Sequence, residues 1–321
     1  MGYMDLIRLI NTGVFCYFNV IAQLLFSIEN FRDLVLEAEQ DADCINFLQN
    51  IFFEMETKKY RKGGIDLSRD YRELCEFADY NPEQQQDLGE IFIFIANKLV
   101  EEGIGDVTVD ENNYENLPDS VILWSTLTRD FYNCALCEKK DYYDSDFSHI
   151  IHLDIKSSIK KSIEFYLESP SMKKVPHECN IMKHYGIENN ENYIIRAKMF
   201  VYVSEFIIFS LKRYHSGAST SHSAKFIDEQ TKMKNDPLNI SKDHSVIFID
   251  EQINIENDPF DIYAIITHQG SMTCGHYIIY IRNKAGKYWV KYNDTEITKG
   301  NICLNSEEIS RTASILVYKR M

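Results

Sequence analysis

Gly275-His276-Tyr277-Ile278-Ile279-Tyr280-Ile281-Arg282-Asn283-Lys284-Ala285-Gly286-Lys287-Tyr288-Trp289-Val290-Lys291-Tyr292-Asn293-Asp294 reads as one antiparallel hairpin. Its arms, Tyr277–Arg282 and Lys287–Tyr292, are rich in aromatic and β-branched residues, and Asn283 to Gly286 supply the turn. Upstream, Ile150–Ile155, Met199–Lys212, His244–Asp250 and Ile262–Thr267 carry the same strand signature, as does Ala313–Tyr318 after it. The first third of the chain is different. Leu88, Ile91, Phe92, Ile95 and Leu99 recur at helical spacing, and Tyr17–Ile28 is apolar nearly all round, as a buried helix is. Helices first and an antiparallel sheet afterwards predict an α+β fold.

Composition narrows the class. The 321 residues are 45% hydrophobic and 26% charged, an ordinary globular balance that excludes a disordered or fibrous chain. The net charge of −15 repels phosphate backbones, so no nucleic acid partner is expected. Eight cysteines are scattered at 16, 44, 75, 134, 137, 179, 274 and 303, a distribution expected of reduced thiols in the cytoplasm or nucleus rather than of a disulfide framework. Leu6–Ile28 is apolar but interrupted by Arg8, Asn11, Asn19 and Gln23, so neither a leader nor a membrane association is expected. A local repeat, Phe226-Ile227-Asp228-Glu229-Gln230 and Phe248-Ile249-Asp250-Glu251-Gln252, has two copies only, too few for a solenoid.

Cys16 opens the helix that continues Tyr17-Phe18-Asn19. A thiol there faces unsatisfied backbone N–H groups and the positive end of the helix dipole, which favour thiolate. His276 enters the hairpin and Asn293 leaves it, 17 positions later. Adjacent antiparallel strands bring both side chains to one end of the sheet. A cysteine early, then a histidine, then an asparagine that fixes the imidazole tautomer, is the order of papain-like thiol proteases. His268, before Gln269-Gly270, lies near the same end.

The chain resembles the ubiquitin-specific protease family over nearly its whole length. Asn11-Thr12-Gly13-Val14-Phe15-Cys16-Tyr17-Phe18-Asn19 with Gln23 is similar to the family's Cys box, and Gln85-Gln86-Asp87-Leu88-Gly89-Glu90 to its Gln-Gln-Asp box. Leu211-Lys212-Arg213-Tyr214, the stretch from Tyr263 through His268 to His276-Tyr277, Trp289 to Asn293-Asp294, and Ile315–Arg320 match four further motifs in order. The resemblance implies a single papain-like catalytic domain with a helical thumb (about 1–120), inserted β fingers (121–200) and an antiparallel-sheet palm (201–321). It implies a monomeric thiol hydrolase that needs no cofactor for catalysis. Its substrates would be ubiquitin and ubiquitinated proteins, cut after ubiquitin's Gly-Gly tail.

By position, Cys16 would be the nucleophile, His276 the general base and then acid, and Asn293 its orienting partner. Asn11 would donate to the oxyanion, and Asp294 would support the site or substitute for Asn293. Asp87 and Glu90 would meet the arginines of ubiquitin's tail, with His268 and Tyr277 also on the substrate side. Acids at a helix start are also common for dipole reasons alone. Cys134 and Cys137 have the spacing of half a zinc site, which Cys179 and His184 would complete; a structural zinc and a metal-free finger held by packing both remain open. Val14 and Phe15 depart from the usual small or polar pair, and Phe15 is bulky enough beside the thiol to narrow the way in. A catalytically inactive ubiquitin-binding module and a protease for a ubiquitin-like modifier are the two alternatives.

Overall fold

α1 (Cys16–Ser27) is buried at every position but its last, as its all-round apolarity requires. The structure, a computed structural model, describes residues 6–39, 41–102, 124–134, 140–168, 172–174, 193–215, 241–242, 245–271 and 274–321. Around α1 pack α2 (Glu29–Glu37), α3 (Asp43–Lys58), α4 (Ser68–Phe77) and α5 (Leu88–Glu101). α5 buries Leu88, Ile91, Phe92, Ile95 and Leu99, the stripe expected from their spacing. Asp87 caps it, its side chain accepting from the Glu90 backbone N–H at 3.1 Å.

Two larger sheets follow. β1 (Thr126–Cys134), β2 (Lys140–Ser148), β4 (Met172–Lys174) and β5 (Tyr193–Val203) form one, in the order β2-β1-β5-β4. The other runs β13-β12-β11-β10-β14-β6-β3, with β9 paired to β10. Its strands are β3 (Ile151–Leu153), β6 (Phe206–Leu211), β9 (Gln252–Ile255), β10 (Asp258–Ser271), β11 (Cys274–Arg282), β12 (Trp289–Asn293), β13 (Glu296–Gly300) and β14 (Ala313–Arg320). β7 (Tyr214–His215) and β8 (Ser241–Lys242) make a separate two-stranded ladder. Among the described residues, two further helices are α6 (Ile159–Glu168) and α7 (Glu307–Thr312). The described strands between 121 and 200 therefore divide between the sheets: β3 pairs in parallel with β6 of the larger one.

The central strands of the larger sheet are buried on both faces, and their period-2 alternation sorts the side chains. Ala264, Ile266, Ile279, Ile281 and Val290 face the helices, whereas Ile265, Ile278, Tyr280 and Leu316 face α6 and the segment 247–255. Each fully buried aliphatic side chain contributes about 1.5–3 kcal/mol. The hairpin begins two residues later on its return arm than the sequence pattern predicts. Asn283 Oδ1 accepts from the backbone N–H groups of Lys287 and Tyr288, at 2.7 and 2.9 Å, which draws both into the turn. Arg213 is 2% exposed and its guanidinium donates to the carbonyls of Ala313, Ser245 and Ser310, tying the end of β6 to β14 and α7.

His149 is buried where the helices meet both sheets. Its Nδ1 lies 3.1 Å from Ser125 Oγ and its Nε2 3.2 Å from Asn97 Oδ1, and burial pushes it down to about 4, so it is neutral. Of the local repeat, the second copy leads into β9 and its turn; the first lies outside the described residues.

Candidate active site

Cys16 is the first residue of α1 and its side chain is buried between α1 and β11. The Phe15 carbonyl accepts from the Phe18 and Asn19 N–H groups, so the first turn closes tightly beneath the thiol. The sulfur lies 3.8 Å from the Gly275 carbonyl oxygen on β11. His276 follows Gly275, and its hydrogen bond with Cys16 is the main reason the imidazole is pushed up to about 9. Asn293 and the charges on Cys16 and Asp294 add to this, while burial opposes it.

Asn293, at the end of β12, places Oδ1 2.6 Å from His276 Nε2. Its acceptor oxygen makes Nε2 the protonated nitrogen and leaves Nδ1 for Cys16. The amide is oriented in turn by Glu296 on β13, whose Oε2 accepts from Asn293 Nδ2 at 3.5 Å.

Asp294 has a different job from its neighbour. It sits in the left-handed region at φ 52°, and its carboxylate accepts from Asn11 Nδ2 at 3.1 Å and from Asn19 Nδ2 at 2.9 Å. Its Oδ2 also lies 3.8 Å from His276 Nε2. Asn11 keeps Oδ1 on the Gly13 N–H at 3.2 Å, so both ends of its amide are held and one N–H remains to donate. Asn19 and Gln23 on α1 donate to the carbonyls of Ile10 and Ile7, fixing the segment that carries Asn11.

Gln85 is the side chain that motif reading did not single out. Its Oε1 accepts from the Gly275 N–H at 2.6 Å, and its Nε2 lies 3.5 Å from Cys16 Sγ. The Gln-Gln-Asp motif marks the segment, but only the fold brings it across to β11.

Asp87 and Glu90 share the first turn of α5. Burial and the Asp87 charge push the Glu90 carboxyl up to about 7. His268 and Tyr277, expected on the substrate side, are instead buried, at 2% and 5% exposure, because their positions on paired strands turn inward. Their rings stack at 4.1 Å and form the floor beneath Gly275. A Cβ on Gly275 would come within 2.2 Å of His268 Nε2, so this position must be glycine. Phe15 does not crowd the thiol: it is 5% exposed and stacks on Tyr71 at 4.9 Å inside the helical core.

Of the expected zinc ligands, Cys137, Cys179 and His184 lie outside the described residues, and Cys134 ends β1. Among the described residues no helix is long and apolar enough to cross a membrane.

The family model described as "Ubiquitin carboxyl-terminal hydrolase" matches residues 7–318. Ubiquitin C-terminal hydrolase 13 of Arabidopsis thaliana is 21% identical over 93% of this chain and 26% of its own length. Ubiquitin carboxyl-terminal hydrolase 5 of Schizosaccharomyces pombe is 22% identical over 91% of this chain and 25% of its own. The chain thus spans about a quarter of the curated relatives it matches. Among solved structures, the SAGA Ubp8/Sgf11/Sus1/Sgf73 DUB module bound to monoubiquitin superposes with a TM-score of 0.73 at 18% identity. That match covers 100% of this chain and 71% of the other, and the same module bound to ubiquitin aldehyde gives a TM-score of 0.72. The fold is therefore the α+β fold expected from the sequence, shared with these chains.

Proposed function

Since the chain belongs to the ubiquitin carboxyl-terminal hydrolase family, we propose that it is a thiol-dependent deubiquitinase cutting the isopeptide or peptide bond after ubiquitin's Gly-Gly tail. The observation that carries this reading is His276 beside Cys16 and 2.6 Å from Asn293, with the imidazole pushed up to about 9 chiefly by the thiol.

On this reading the Cys16 proton passes to His276 Nδ1, giving a thiolate–imidazolium pair. The thiolate attacks the terminal glycine carbonyl, and Asn11 donates to the oxyanion, held for this by Asp294. His276 then returns the proton to the leaving lysine amine, and the bond to nitrogen breaks. Water, deprotonated by His276, hydrolyses the thioester and regenerates Cys16. Asn293 keeps the imidazole in the required tautomer throughout. Glu90 and Asp87 receive the cationic part of the tail, where ion pairing would favour an ionised Glu90.

The test is reaction with a ubiquitin probe bearing a C-terminal electrophile. Cys16 should be the labelled thiol, and Cys16→Ser should abolish the adduct. Cys274, exposed and two residues before His276, is the rival nucleophile; an adduct there in place of Cys16 would overturn the assignment. Probes built on ubiquitin-like proteins, run in parallel, separate the alternative substrate class. Of the two residues that favour an inactive module, Phe15 is packed in the core and stacked on Tyr71; an absent adduct in the wild type would favour that module.

A further inference from the structure

We infer that Gln85 is a working part of the nucleophilic site, donating a hydrogen bond to the Cys16 thiolate while it clamps the helical half of the molecule to β11. The inference rests on the reading of Cys16 as the nucleophile. Three observations carry it.

The first is the direction of the amide. A backbone N–H can only donate, and the Gly275 N–H meets Gln85 Oε1 at 2.6 Å. The other end of the planar amide, Nε2, must then carry its hydrogens away from Gly275, and it lies 3.5 Å from Cys16 Sγ. Neither end can be exchanged without setting donor against donor at Gly275.

The second is what else surrounds the sulfur. The Gly275 carbonyl oxygen is 3.8 Å away. It can accept from a thiol but opposes a thiolate. Once the proton has moved to His276, the sulfur needs donors, and beside the helix start the side chains that supply them are the His276 imidazolium and Gln85 Nε2. Gln85 transfers no proton; it balances a carbonyl that otherwise works against the charged form.

The third is rigidity. Gly275 is pinned against His268 Nε2 and the Gln269 carbonyl, which lie within 2.2 and 2.6 Å of where a Cβ would stand. The N–H that orients Gln85 is therefore held by the buried floor of β10 and β11. Gln85, only two residues before the cap of α5, inherits that position across the cleft.

The experiment follows Cys16 alkylation by iodoacetamide as a function of pH, read on the Cys16 peptide by mass spectrometry so that the exposed Cys274 and Cys303 do not contribute. Wild type is compared with Gln85→Met, which fills the same space without a donor, and Gln85→Ala, which admits water. The pH midpoint of alkylation should rise by about half a unit or more in Gln85→Met and by less in Gln85→Ala, where water replaces part of the donor. The acid limb of kcat/KM on a fluorogenic ubiquitin substrate should move with it. A folded Gln85→Met with the wild-type midpoint, whatever its melting temperature, would reduce Gln85 to a structural clamp and overturn the inference. If Gln85→Met does not fold, an unmoved midpoint in Gln85→Ala does the same. Alkylation needs no ubiquitin: a wild type that never turns over the ubiquitin substrate, yet whose midpoint shifts in the variants, would defeat the proposed function and leave Gln85 in its role.

Discussion

Asn11 and Asp294, 283 positions apart, meet through a hydrogen bond of 3.1 Å that joins the segment before α1 to the turn after β12. The bond gives Asp294 a function separate from that of Asn293. Asp294 does not stand behind the imidazole as its main acceptor; it holds the amide proposed to face the oxyanion.

Coupling between the two residues follows from that geometry. Asn11→Ala should lower kcat by about 100-fold, the usual cost of one oxyanion donor. Asp294→Ala should lower it by about tenfold, by releasing Asn11, and the double variant should be no worse than Asn11→Ala alone. Steady-state kinetics on all three variants would decide it. Losses that multiply would show that Asp294 acts elsewhere, and the contact with His276 at 3.8 Å would then be the place to look.

Asn293 is expected to matter chiefly through orientation. Asn293→Ala should reduce kcat at least tenfold, or about 1.4 kcal/mol, with ubiquitin affinity nearly unchanged. Glu296→Ala should be milder, because it frees the Asn293 amide to rotate without removing it. A larger loss in Glu296→Ala than in Asn293→Ala would mean that Glu296 contacts substrate directly.

Glu90 couples stability to binding. Its carboxyl is pushed up to about 7 in the folded protein by burial and by Asp87, above the range of an unfolded chain. The folded state therefore binds more protons between these two values, and stability falls as pH rises through that window. Glu90→Gln should raise the melting temperature at pH 8 by about 2 °C or more and leave it unchanged at pH 4, while weakening ubiquitin binding. Thermal scans at the two pH values, with a titration against ubiquitin, would test both halves; a variant less stable at pH 8 would refute the first.

The proximity of His276 and Asn293 is legible in the sequence because it is local to one hairpin. His276 and Asn293 lie on adjacent strands of fixed twist and register, so 17 positions translate directly into proximity. α1 and α5 are legible for a similarly local reason, α5 by one helical period of apolar residues and α1 by apolarity all round. Gln85 is not, because its meaning depends on a contact 190 positions away. The roles of His268, Tyr277 and Phe15 are illegible for another reason. An aromatic ring beside a catalytic motif reads as part of the mouth, and only the packing of both sheet faces and of Tyr71 shows that these rings are inside. Arg213 is the same case with a charge: three carbonyls from separate elements make its burial tolerable, and no local pattern announces them.

The pH dependence of the site turns on one pairing. The imidazole of His276 is pushed up to about 9, chiefly by its bond to Cys16, above the value of a free histidine. A group raised in this way lends stability that is fully present below its unfolded value, near 6.5, and is lost as pH climbs through about 9. Activity should follow the same limb, since above that pH the imidazole no longer carries the proton owed to the leaving amine. kcat/KM should therefore hold through pH 8 and fall near 9. Removing the cause should move the effect. In Cys16→Ala the principal partner is gone, burial still opposes the charge, and Asn293 and Asp294 alone favour it. The His276 resonance, followed by NMR, should then titrate at least one unit lower than in wild type. An unchanged midpoint in Cys16→Ala would show that Asn293 and Asp294, not the thiol, set the charge on this histidine.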